Sequence, residues 1–103
     1  MNRKVLTDGS GRWFDADKAA SWEEGTRWNG NNHVSLATGS QWEHEMLYRT
    51  VGGIYVIRHW SQWQGSTPSL EEISADDAAR WLSRNNHEPP KALNDAYAAL
   101  EIA

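Results

Sequence analysis

Four histidines, His33, His44, His59 and His87, are interspersed with Glu43, Glu45 and Glu88, and imidazole with carboxylate is a ligand set that suits zinc or manganese. Their spacing matches no metal motif. Glu43-His44-Glu45 lacks the second histidine one helical turn away that a His-Glu-x-x-His site uses, and its surroundings read as strand. Ordinary hydrogen-bonded histidines explain the same letters, so neither metal nor cofactor is expected. Nucleophilic catalysis needs a hydroxyl beside an oriented base. Ser40, in Thr38-Gly39-Ser40-Gln41 near His44, has the right residue type, but no strand, elbow and helix pattern displays it, and a polar loop is the simpler reading. Alternation puts Glu43 and Glu45 on one strand face, where acid-base chemistry could use them; two solvated acids are the default. Gly9-Ser10-Gly11 and Gly52-Gly53 read as turns, since neither opens a helix with phosphate-loop spacing. No catalytic residue is assigned, and the balance favours a protein that is not an enzyme.

A denser signal comes from tryptophan and carboxamide residues between 28 and 64. Trp28, Asn31, Asn32, His33, Trp60, Gln62, Trp63 and Gln64 are the candidate binding residues, with Asn29, Gln41 and Trp42 close in sequence. Tryptophan offers a flat apolar face with one donor, and Asn or Gln pairs a donor with an acceptor. Together they suit a sugar, a nucleobase or the anchor of a protein interface. The competing reading assigns Trp13, Trp22, Trp42, Trp60 and Trp81 to the core. Trp28 and Trp63 stand apart because their neighbours, Arg27, Asn29, Gln62 and Gln64, are polar.

That competing reading has a compositional basis. Across 103 residues, Val, Ile, Leu and Phe together supply only about 16%, while there are seven Trp, three Tyr and two Met. A buried Trp removes on the order of 200 Å² from water, so the core is expected to be a few aromatic plates among small alanines. The length fits one domain spanning 1–103. The absence of cysteine excludes disulfides, thiolate catalysis and iron-sulfur ligation. No apolar run approaches the roughly 18 residues of a membrane helix, and no signal-peptide pattern opens the chain, so a cytoplasmic protein without membrane contact is expected. Net charge is −4, and the acidic excess lies in residues 69–103, with three basic against seven acidic residues. A phosphate-tracking groove, and hence nucleic acid as partner, is disfavoured.

The elements that must position these residues begin with a hairpin, residues 4–7 and 12–14 around Asp8-Gly9-Ser10-Gly11. Asp15 then reads as the cap of a short helix, with Ala16, Ala19 and Ala20 on one face, ended by Gly25. Residues 25–41 hold three Asn and three Gly and show no sustained period, which reads as a long loop with at most a short strand at 34–36. Residues 42–50 and 54–60 form a second hairpin. A two-residue Gly52-Gly53 turn would pair Tyr48 with Ile57, and a three-residue turn with Gly53 as a left-handed bulge would pair Leu47 with Ile57. Of its second arm, the set Ile54, Val56, Arg58 and Trp60 reads as more buried than Tyr55, Ile57 and His59. Residues 68–73 read as an edge strand. Ser74 caps a helix with Asp76 and Asp77 in its first turn and Ala75, Ala78, Ala79 and Leu82 as its apolar stripe, running to Arg84. Pro89-Pro90 interrupts, and a last helix over 91–101 buries Leu93, Ala96, Tyr97 and Leu100. The fold class is α+β, a small antiparallel sheet of about five strands with helices packed on one face.

The run Leu47-Tyr48-Arg49-Thr50 before a glycine-turn hairpin, followed by Ile73-Ser74-Ala75-Asp76-Asp77-Ala78 and Trp81-Leu82, resembles small hypothetical proteins carried by bacterial phages and mobile elements, over residues 42–86. The resemblance implies an accessory or anti-defence role and carries no agreed activity. The expected function is therefore a non-enzymatic binding module that docks on a macromolecule, a protein in the first instance, through the long loop and residues 60–65. The alternative is a small-ligand protein for a nucleotide or saccharide, or a small hydrolase using His33, His44 and Glu45. Acidic helices imitating nucleic acid are a third reading, for which seven acids are few.

Overall fold

A computed structural model describes residues 1–103. Its largest sheet has four antiparallel strands: β3 (Ala20–Glu23), β6 (Glu43–Arg49), β7 (Tyr55–Ser61) and β8 (Ser69–Ile73), in the order β3-β6-β7-β8. Two separate two-stranded ribbons complete the strands: β1 (Arg3–Val5) with β2 (Trp13–Asp15), and β4 (Thr26–Trp28) with β5 (His33–Ser35). Helix α1 (Ala75–Arg84) follows β8, and a 3-10 turn (Lys91–Leu93) leads into the short helix α2 (Asn94–Ala98). The α+β class stands, with four strands in the main sheet where about five were expected.

The β6–β7 hairpin takes the three-residue turn. Leu47 faces Ile57 across the ladder, the Thr50 amide bonds the Ile54 carbonyl at 2.9 Å, and Gly53 sits at φ 86°, a conformation costly for any residue with a Cβ.

Both faces of the sheet are covered, by different partners. Leu47 and Tyr55 pack with Ala78, Trp81 and Leu82 of α1 and with Leu93. On the opposite face Tyr48, Val56 and Leu70 pack with Leu6 and Phe14 of the first ribbon. The helix therefore lies on the Tyr55 and Ile57 side, and where the Val56 side was expected to be the more buried, the sheet is enclosed on two sides. Thr7 joins the ribbon to β8, its amide donating to the Leu70 carbonyl at 2.8 Å and its hydroxyl accepting from the Leu70 amide at 3.0 Å.

Three segments differ from the sequence reading. Residues 16–25 are not helical: turns at 16–19 lead into β3, where Trp22 packs on the core opposite Leu47 while Ser21 and Glu23 face water. The alanines permitted helix, but a half-buried edge strand uses the period-2 pattern of residues 21–23 better than a two-turn helix, which is marginal alone. Residues 25–41 are not a structureless loop, because β4 and β5 pair within them. The local cue is Asn29-Gly30, a favoured hairpin dipeptide. Gly30 has φ 101° and the Asn29 carboxamide oxygen accepts the Asn31 and Asn32 amides at 3.0 and 2.9 Å. The C-terminal helix is shorter than 91–101, and of its expected inward residues Leu93 is buried, Ala96 and Tyr97 are half-buried and Leu100 is exposed.

Helix α1 forms as its local signals dictate. The Ser74 hydroxyl accepts the Asp77 amide at 3.1 Å. At the other end Asn86 takes φ 61°, and the His87 amide reaches back to the Leu82 carbonyl at 2.9 Å while the Asn86 amide reaches Ser83 at 3.2 Å. This pair of bonds closes the helix through a left-handed residue.

Candidate functional site

The expected binding residues fall into two groups. Trp28 and His33 face each other across the β4–β5 ribbon, ring centroids 5.2 Å apart at 62°. Asn31 and Asn32 form its turn through their amides, leaving their own carboxamides exposed. Trp60 belongs to β7, and Gln62, Trp63 and Gln64 follow it on the surface.

The second group is larger than expected. Trp42, assigned to the core from sequence, is 43% exposed, and its ring lies 5.4 Å from that of Trp63, itself 60% exposed. The Gln62 amide bonds the Trp42 carbonyl at 2.9 Å, which extends the β6–β7 pairing by one step and holds the two indoles together. Ser40 supplies structure here: its hydroxyl accepts the amides of Trp42 and Glu43 at 2.9 and 3.2 Å. Two cross-strand pairs further in, His44 packs beside Trp60 at 5.6 Å, and the Arg58 guanidinium lies 4.6 Å from the Trp60 ring centroid. Three Trp rings, an imidazole and an Arg thus crowd the open end of one hairpin.

Trp13 also departs from its core assignment. Alternation along β2 turns Phe14 inward and Trp13 outward, 51% exposed beneath the Arg3 guanidinium at 4.8 Å. Trp28 at 59% and Trp63 at 60% are more exposed than Trp13 and far more than Trp81 at 2%. The margin over Trp13 is small, and neighbours in sequence were a poor guide there because adjacent strand residues face opposite ways.

No known family matches this chain, nor does any curated protein or solved structure. Geometry alone carries the reading.

The polar residues divide likewise. His33 meets Trp28; the His44 Nδ1 meets Glu24 Oε2 at 2.8 Å; Glu45 meets neither. Sequence reasoning grouped His33, His44 and Glu45, and the fold instead gathers Glu45 with His59, Glu43 and Trp81. His59 Nε2 lies 2.8 Å from Glu43 Oε2 and its Nδ1 3.4 Å from Glu45 Oε2. The Trp81 indole N–H donates to Glu45 Oε1 at 3.0 Å, and the Glu45 amide donates to Glu24 Oε1 at 2.7 Å. Partial burial disfavours the imidazolium form of His59, but hydrogen bonding and charge from Glu43 and Glu45 outweigh it and hold its pKa above the usual value. These side chains are not arranged as a group of three or more that could hold a metal ion. The signal available in sequence was the alternation Glu43, Glu45 opposite His59, legible only once the hairpin register is known.

Proposed function

We propose that the protein is a non-enzymatic binding module that docks on a protein partner through the aromatic end of the β6–β7 hairpin, Trp42, Trp60 and Trp63 with Arg58, flanked by Gln62 and Gln64. The observation that carries this is the contact between Trp42 and Trp63, two indoles that both remain exposed on the surface. Trp and Arg dominate the energetically important positions of protein interfaces, where large flat rings enter pockets and a polar rim excludes water. Exposed indoles in contact gain little from solvent, so a partner surface is the environment that rewards them. The Trp28, Asn31, Asn32 and His33 ribbon is a second projecting aromatic element for the same purpose. The mechanism is steric occlusion or recruitment. Extending it to an anti-defence role of a phage or mobile element rests on the resemblance of residues 42–86 alone.

The test compares partner capture from host lysate by the intact chain, Trp42→Ala, Trp63→Ala and the control Trp13→Ala. Loss in the first two variants with retention in the control supports the docking surface. Equal capture by all four overturns it.

A second reading, acid-base chemistry on a small ligand, is favoured by one observation: His59 bridges Glu43 and Glu45, and Glu45 lines a cleft between β8 and α1 that also presents Glu71, Asp77, Arg80 and Arg84. It replaces His33 and His44 by His59. Hydrolysis of activated ester or phosphoester probes that disappears in His59→Gln would support it, and no turnover above the variant would remove it.

A further inference from the structure

At the other end of the β6–β7 hairpin, about 20 Å away for strands of this length, a cavity of about 370 Å³ opens between the hairpin turn and the first ribbon. Its floor is apolar, formed by Leu6, Phe14 and Val56 of the buried cluster on that face. Its walls include Trp13 and Val51, which are 51% and 76% exposed. Neither belongs to the aromatic surface proposed above for docking.

The rim has a surplus of donors. Lys18 takes part in none of the ion pairs of the chain. The amides of Val51 and Gly52 have no hydrogen-bond acceptor within the backbone. The Thr50 hydroxyl oxygen accepts the Ile54 amide at 3.1 Å, which leaves its proton free to donate. The one carboxylate at the rim, Asp15, is engaged through one oxygen: its Oδ1 accepts the amides of Asn2 and Asp17 at 3.0 and 3.1 Å, and these bonds, with the lesser help of the N-terminal and Lys18 charges, hold its pKa below the usual value. Arg12 is held by Glu72 at 2.7 Å.

From the apolar floor, the indole wall and this donor-rich rim, we infer that the cleft binds a small flat apolar molecule carrying one carboxylate. The ring of such a ligand packs over Phe14 and Val56 beside Trp13, in the offset or edge-on contact aromatic pairs prefer. Its carboxylate meets Lys18, Thr50 and the turn amides, where charge-assisted bonds are the strong ones. A cation of the same shape would meet Lys18 and the turn amides, and only the second carboxylate oxygen of Asp15 would be there to accept from it. The volume lies at the lower end of ligand pockets, which limits the occupant to one or two fused rings and a short acid arm.

Three probes with one body and different heads test this: indole-3-acetate, indole-3-acetamide and tryptamine, each titrated into the ¹⁵N-labelled full chain. The expected result is shifts at the Val51 and Gly52 amides and the Trp13 indole, with the acetate binding about tenfold tighter than the acetamide, a charge-assisted bond being worth more than a neutral one, and tryptamine weakest. Lys18→Gln should bring the acetate down to the level of the acetamide, and Val51→Glu should abolish its binding; both positions are on the surface, so the fold is expected to survive, and the dispersion of the same spectra verifies it. Tryptamine binding as well as the acetate overturns the inference. So do shifts centred on Trp42 and Trp63, or none at millimolar probe. Because the two surfaces lie at opposite ends of the hairpin, loss of this cleft leaves the docking surface untouched, and the reverse.

Discussion

Asn85→Ala should be among the most damaging single polar substitutions in this chain. Asn85 is 2% exposed at the end of α1. Its Nδ2 donates to the Trp81 carbonyl at 2.7 Å, and its Oδ1 accepts the Gly25 amide at 2.9 Å. The first bond ties off the helix; the second fastens α1 to the base of the β4–β5 ribbon, where the Leu36 amide in turn bonds the Gly25 carbonyl at 2.9 Å. Each bond contributes about 1 kcal/mol net, and a donor left unmade away from water costs about 1 to 3 kcal/mol. Alanine removes both bonds and leaves the half-buried Gly25 amide unpaired, for an expected loss of about 2 to 4 kcal/mol. Urea unfolding gives the loss directly. In a domain of this size each kcal/mol moves Tm by about 4 to 8 °C, so thermal melting should fall by at least about 8 °C. Gly25→Ala should act on the same joint from the other side, since a Cβ there would lie 2.8 Å from Leu36 Cδ1 and 2.9 Å from the Asn85 carbonyl oxygen. An Asn85→Ala protein within about 1 kcal/mol of the parent would refute the idea that this side chain holds helix and ribbon together.

Ser74→Ala should destabilise the protein by about 1 kcal/mol, measured by chemical denaturation, because it removes the acceptor of the Asp77 amide. Trp63→Ala should stay within about 0.5 kcal/mol of the parent, whereas Trp81→Ala, at a site 2% exposed and bonded to Glu45, should lose about 3 to 5 kcal/mol; denaturation of the two side by side checks the contrast. For His59, whose pKa is raised in the folded chain, the folded state holds its proton more tightly than the unfolded one. Its contribution is therefore fully present below the unfolded value near about 6.5 and is lost as pH rises through the folded value. Imidazole titration by NMR should place His59 above the usual range, and His59→Gln should flatten the stability profile within that window. A midpoint at or below the usual value would contradict the geometry around it.

What could be read in the residues themselves was what depends on near neighbours. The α1 helix carries its cap, its first-turn acids and its stripe within eleven residues, and Val51-Gly52-Gly53 marks the second hairpin without reference to anything distant. The strand at 69–73 and the first ribbon were legible for the same reason. Residues 15–25 were misleading because alanine, aspartate and a terminal glycine satisfy a short helix as well as a turn and strand, and the deciding term is the pairing of Trp22 with Leu47, 25 residues away. The exposure of Trp13 was likewise set by the strand face it occupies and that of Trp42 by its place just outside β6 at the open end of the hairpin, and the turn register, left between two choices by the sequence, decides which side chains stand opposite one another. That register brings Glu45 opposite His59, and the packing of α1 over the sheet adds Trp81. Local propensities differ by less than about 1 kcal/mol per residue, while burying one large side chain contributes about 1.5 to 3 kcal/mol; where the two disagree, long-range packing decides, and both the aromatic end of the hairpin and the cleft at its turn are products of that packing.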